Sequence, residues 1–402
     1  MSTQQTEVLH LPSEINYECT GCGKCCGGWS VPMTQDDYER ISEVNWGAHD
    51  ASLGLQSLFR ELKPYESAGT PYTHAIKEGG DGHCPFLKDN LCFIHSKNGS
   101  TFKPSICQLF PYCFNETPSG VYATVSFVSM GVVNNSGKSL DEQRGYLETK
   151  LKEFKTLYPN HHPNWSNLKL AVDKQLSWDE YLEIEKEMLA LWAQRDKPLD
   201  DRFLEISDLL VARFKGSAPP ATSKVGRLKP LDKHLLMALH KIYFPSKKLK
   251  RGEVDFTAGR FSSQIILESF YPGLKLKSIG SFHDFEALSK IDFPKDHDVE
   301  DLIYRYFLSR IFGKLYFGAG FGQLSLITGF HHLVAMYVLL KANAKILAQE
   351  RGAPGPSYVD VVQSVRTLEK RLGETALGGY GAAIMELLLF SPGRMRRFIS
   401  NT

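Results

Sequence analysis

Thiols are the side chains of this sequence whose type and spacing could do chemistry. All eight cysteines fall in one stretch, from Cys19 to Cys113, and none lies elsewhere in the 402-residue chain. They run Cys19-x2-Cys22-x2-Cys25-Cys26, then Cys84, Cys92, Cys107 and Cys113, with 57, 7, 14 and 5 residues between successive members from Cys26 onward. Cysteine used as a small buried apolar residue would be scattered instead. Thiolate sulfur is a soft donor that selects zinc, copper(I) and iron–sulfur clusters. Gly21, Gly23, Gly27 and Gly28 let the first group fold as a tight loop whose amides can face sulfur. The eight cysteines therefore read as metal ligands.

The C-x2-C-x2-C run over Cys19, Cys22 and Cys25 matches the start of the bacterial ferredoxin spacing. The fourth cysteine and its proline are missing, because Cys26 follows Cys25 directly. Neighbouring side chains diverge in helix and in strand, so this pair predicts two centres, or one polynuclear cluster fed by both segments. Zinc sites use tetrahedral sets of four, commonly two short knuckles, and the second half of the pattern has only wider gaps. The spacing favours an iron–sulfur cluster over zinc. His83 and His95 flank the second group and could replace a thiolate, but they read more simply as surface or packed histidines. A four-disulfide framework is disfavoured, because the first residues lack the pattern of a secretory signal. A reducing, cytoplasmic setting is expected.

Cys19-Thr-Gly-Cys22-Gly-Lys-Cys25-Cys26, Cys84-Pro85-Phe86-Leu87, Cys92-x-Ile94 and Lys103-Pro104-x-x-Cys107-x-Leu109-Phe110-Pro111 together resemble the CxxCxxCC family of zinc- or iron-chelating domains, also called YkgJ-like cysteine-cluster domains. The resemblance covers about residues 15–130 and implies chelation by the eight cysteines. Lys103 stands where that family usually has arginine, and His95 where it usually has tyrosine. A cysteine domain followed by a long helical region is also similar to flagellin lysine methylases. That likeness implies S-adenosylmethionine as a cofactor and a protein such as flagellin as substrate. A metal carrier or redox sensor without catalysis is the further alternative, and it would need exposed thiolates of low pKa.

The elements that must position these thiols are few. Val121–Val128 alternates and is rich in β-branched and aromatic residues, so it reads as a strand closing the cysteine domain. Beyond it the helical period takes over, with Leu147, Leu151, Phe154 and Tyr158 on one face. Ser177-Trp-Asp-Glu180 matches a capping box. Further helices are expected near 231–244, 299–315, 330–349, 357–372 and 380–390. The fold class is mainly α (α+β): a small cysteine-rich metal-binding domain with minor β over 1–138, then a helical domain over 139–402, with a split at the Pro/Gly/Ser-rich loop near 216–230.

Other candidates carry less. Lys and Arg number 47 against 45 Asp and Glu, a formal charge of +2, so no global field draws nucleic acid, and the short basic groups at 247–251 and 394–397 read as solvated. The uncharged stretch Leu315–Leu340 is long enough to span a bilayer, but Gly318, Gly320, Gly322 and Gly329 interrupt it. It reads as buried helices joined by a glycine loop, with no membrane span. Gly318-Ala-Gly320-Phe-Gly322 lacks a preceding strand and an acidic residue about 20 positions on, so it is not a dinucleotide fingerprint. The pairs His161-His162 and His331-His332 point apart within each pair and predict packing rather than a shared ion.

Overall fold

A computed structural model describes residues 8–27, 29–217, 226–244, 285–374 and 379–402. The basic group at 247–251 and most of the 216–226 loop lie outside the described residues. The chain divides into two units, residues 1–162 and 163–402. Its class is mainly α, with small sheets near the N-terminus.

In the first unit the alternating stretch forms strand β8 (Gly120–Val125), pairing parallel with β1 (Leu9–His10) and antiparallel with β7 (Tyr112–Thr117). Gly120 takes a φ of +122°, and a Cβ there would meet the Val8 carbonyl oxygen at 2.4 Å. Only glycine lets β1 approach so closely. A second sheet of order β2-β4-β3 is built from β2 (Val31–Met33), β3 (Phe59–Glu61) and β4 (His74–Ile76). Its apolar residues Val31, Met33 and Ile76 join Ile41, Trp46, Leu58, Phe86 and Ile94 in one core, against which Cys84, Cys92 and Cys107 pack. Helix α1 (Gln35–Ser42) starts at a Thr34–Asp37 capping box. Helix α2 (Ser105–Leu109) carries Cys107. Helix α3 (Arg144–Leu157) buries Leu147 and Leu151 and sets Phe154 against Phe114 of β7, ring centres 5.5 Å apart. This packing carries the first unit past residue 138.

The second unit opens with the small hairpin of β9 (Lys169–Ala171) and β10 (Lys174–Gln175). Helix α4 (Trp178–Trp192) begins with the Ser177–Glu180 box seen in the sequence. There follow α5 (Leu199–Lys215), α6 (Pro230–Tyr243), α7 (His297–Phe312), α8 (Leu326–Glu350), α9 (Tyr358–Glu374), α10 (Gly379–Leu389) and α11 (Pro392–Ser400). Helix α8 is buried on nearly every side from Leu326 to Ile346, which is why apolar residues fall on every face of it. Among the described residues no helix is long and apolar enough to cross a membrane. The uncharged stretch falls on the loop after α7 and the first half of α8. A Cβ on Gly320 would lie 1.7 Å from the Lys314 carbonyl oxygen, so the glycine serves backbone packing.

The remaining polar candidates of this unit are structural. His331 meets Ser207 Oγ at 2.7 Å through Nε2 and the Leu389 carbonyl at 2.6 Å through Nδ1. His332 turns the other way, 2.7 Å from the Tyr243 hydroxyl and stacked on Phe321. Arg394 and Arg397 both pair with buried Asp232, and Arg396 pairs with Asp208. The basic group at 394–397 is thus committed to internal carboxylates.

Burial lowers the pKa of His331 to about 4 and of His332 to about 3, against about 6.5 for an exposed histidine. The unfolded chain therefore binds these protons first. The contribution of the neutral rings is complete above about pH 6.5 and is lost as the pH falls toward those lowered values. Urea unfolding between pH 7 and 5 should show stability falling with acidity, and His332→Phe should flatten that slope by up to about one proton.

Candidate metal centre

The first cysteine group is a loop closed on itself and pinned to the second. Gly21 and Gly23 are left-handed, at φ +62° and +66°. The Cys26 amide donates to the Gly23 carbonyl at 2.9 Å, and the Cys84 amide donates to the Cys26 carbonyl at 2.8 Å. A bridge between Gly27 and His83 continues this short ladder. Beyond Cys84, strands β5 (Leu87–Lys88) and β6 (Leu91–Cys92) form a hairpin whose turn residues Asp89 and Asn90 have φ of +49° and +63°. Two left-handed positions in a two-residue turn match the twist of the strands and suit Asp and Asn. The hairpin delivers Cys92.

Cys107 is placed by a carboxylate from another element. Buried Asp37 of α1 accepts from the Ser105 amide at 2.9 Å and the Ser105 hydroxyl at 3.0 Å, at the start of α2. It also pairs with Arg40 at 2.6 Å, and Arg40 donates to the Lys103 carbonyl at 3.1 Å. The segment leading to Cys19 is held on its other side. Asn16 N–H donates to Asn135 Oδ1 at 2.7 Å, Tyr17 N–H to the Lys138 carbonyl at 3.1 Å, and Gln143 Nε2 to the Tyr17 carbonyl at 3.0 Å. A Cβ on Gly131 would stand 2.1 Å from the Glu18 carbonyl oxygen. Sequence reading passed over Asp37, Asn135 and Gly131. The Thr34-x-x-Asp37 capping box was the one local signal among them.

Seven of the eight cysteines, Cys19, Cys22, Cys25, Cys26, Cys84, Cys92 and Cys107, line one cavity of about 730 Å³. Cys113 is not among its lining residues. It lies in β7 opposite Thr124, its Sγ 3.8 Å from the Pro111 carbonyl, while its neighbour Tyr112 faces the cavity. Strand alternation sends the two to opposite faces. All eight are free thiols in this structure. The sulfurs are spread over the cavity wall: among the described residues no group of three or more His, Cys, Asp or Glu is drawn together as one ion would need.

The sulfurs nevertheless feel one another. The Cys26 thiol is pushed well up by its hydrogen bond with Cys25, by burial, and by charge on Cys25, Cys107 and Cys84. Burial pushes Cys84 up to about 12, with a contribution from Cys92. Burial raises Cys107 as well, against the opposing charge of Lys103. Such thiols stay protonated at neutral pH until a cation displaces the protons. Their direction is opposite to the low-pKa thiolates of a redox sensor. His95 also lines the cavity but is exposed. His83 is half-exposed beside Asp81 at 3.6 Å. His161 packs edge-on against Phe154, and His162 lies 3.3 Å from Glu116.

Residues 18–126 match the model of the CxxCxxCC family, whose description reads "Putative zinc- or iron-chelating domain". The match spans the cysteine stretch up to Ser126 and leaves out Tyr17 and the residues before it. An uncharacterized protein of Methanocaldococcus jannaschii is 31% identical over 100 residues, covering 24% of this chain and 30% of the relative. The chain therefore spans less than a third of that relative's length. No solved structure matches. The family match stops short of the helical unit, on which the likeness to flagellin methylases rests.

Asp37→Ala should remove the carboxylate that fixes Cys107, leaving the Ser105 amide and Arg40 without their partner. Denaturant unfolding should report a loss of about 2–3 kcal/mol, accompanied by reduced metal retention. Asp37→Asn, which keeps an acceptor for Ser105, should lose less of both.

Proposed function

We propose that the first unit holds an iron–sulfur cluster through thiolates drawn from Cys19, Cys22, Cys25, Cys26, Cys84, Cys92 and Cys107, with Cys113 outside the ligand set. The observation that carries this reading is the convergence of seven cysteines, from three separate stretches of chain, on one cavity. The donor chemistry fits, since soft thiolates suit zinc and iron–sulfur centres alike. Two features favour the cluster over zinc. Seven thiols exceed the four of a tetrahedral zinc site. Cys25 and Cys26, adjacent in sequence, both face a space far larger than a single ion.

A bound cluster supplies one-electron chemistry, with a potential set by its charge, its hydrogen bonds and its exposure. The residues of this chain govern those terms. The core formed by Ile76, Phe86 and Ile94 backs Cys84, Cys92 and Cys107 and excludes water from that side. The Lys103 ammonium offsets negative charge at Cys107. Trp29 donates through Nε1 to the Cys25 carbonyl at 3.3 Å and steadies the loop.

Protein purified without oxygen should contain iron and acid-labile sulfide and absorb broadly near about 400 nm, as cysteine-ligated clusters do. Cys26→Ser and Cys107→Ser should lose most of that absorbance, whereas Cys113→Ser should keep it. Colourless protein carrying zinc in place of iron and sulfide would overturn the cluster reading.

A further inference from the structure

Away from the sulfurs, the wall of the same cavity is aromatic. Tyr17, Tyr112 and Tyr146 all line it, with Tyr17 and Tyr112 edge-to-face at 5.5 Å between ring centres and Tyr112 and Tyr146 at 5.9 Å. This wall already holds one cation. The Lys150 ammonium lies 5.4 Å from the centre of the Tyr146 ring and 2.7 Å from Glu153 Oε2.

The negative charge around the space would come from the sulfurs. Lys150 is balanced by Glu153, and Lys103 sits on the sulfur side beside Cys107. Lys138 is exposed to solvent. Glu18, the other carboxylate of the lining, is equally exposed. Thiolates gathered around a metal carry more negative charge than the metal neutralises, and that excess acts strongly across a low-dielectric cavity. Aromatic faces and excess negative charge together attract a cation. At about 730 Å³ the space falls within the range of small-molecule sites, about 300–1,000 Å³.

We propose that the wall formed by Tyr17, Tyr112 and Tyr146 is a subsite for a small organic ammonium ligand bound beside the metal centre. The proposal rests on the metal reading for its excess negative charge, which metal-bound thiolates supply, and on the aromatic wall independently of it.

The test titrates choline and its neutral isostere 3,3-dimethyl-1-butanol into the full-length chain by calorimetry, with metal-loaded and metal-stripped protein in parallel. Choline should bind saturably and about tenfold or more tightly than the alcohol. Tyr112→Leu should weaken choline about tenfold, and Tyr112→Phe should preserve it. If Tyr112→Leu does not fold, Tyr146→Leu, at a half-exposed ring, gives the same comparison. Equal affinities for the two probes, or no saturable choline binding in either form, overturn the proposal. Metal content separates the two readings: a choline preference in protein that takes up no metal upholds the subsite and removes the metal centre, while metal uptake without the preference does the reverse.

Discussion

Thiols brought together repel as soon as they ionise, and the first unit is organised around that constraint. Its sulfurs face one space but are not gathered into an ion-sized point, and burial together with neighbouring sulfur keeps Cys26, Cys84 and Cys107 in their neutral form. The fold therefore brings the donors to one cavity at modest electrostatic cost, and a soft cation would change the sign of the interaction from repulsion to attraction. The supports are backbone contacts and uncrowded hydrogen bonds. The Cys84–Cys26 amide link joins the two cysteine groups, and Asp37 ties α1 to the start of the helix bearing Cys107.

The helical unit solves a different problem, that of polar groups inside an apolar stack. Glu386 of α10 accepts from the Ser325 amide at 2.6 Å and from the Ser325 and Thr328 hydroxyls at 2.8 and 2.6 Å, so a carboxylate from another helix completes the N-terminal cap of α8. Lys314, wholly buried, pairs with Glu185 at 2.9 Å and donates to the Phe312 carbonyl at 2.8 Å. Burial nevertheless lowers its pKa to about 8. Glu386 lies 61 residues from Ser325 and 58 from Thr328, a pairing that sequence distance conceals.

What could be read in the sequence is what local physics determines. The Ser177–Glu180 box starts α4 because both hydrogen bonds span three residues, and α9 at Tyr358–Glu374 follows an apolar period that needs no distant partner to be visible. The cysteine clustering likewise pointed to thiols that act together, and seven of them line one cavity. Long-range terms were hidden. Ser105 is 68 residues from Asp37, and Asn16 is 119 from Asn135. The docking of α3 on the cysteine unit depends on Phe114 meeting Phe154, so its periodicity gave its face without its address. Cys113 matches the other cysteines in type, and strand alternation sets its direction.

The 57-residue gap between Cys26 and Cys84 also has a meaning in time. The chain is made from its N-terminus, and at about 5–20 residues per second the Cys19–Cys26 loop emerges roughly 3 to 11 s before Cys84, whose amide hydrogen-bonds to it. During that interval the nascent loop presents four thiols without Cys84, Cys92, Cys107 or the apolar core behind them. Assembly of the centre is thus ordered by translation itself, and the thiols made first must be kept reduced until the last wall arrives.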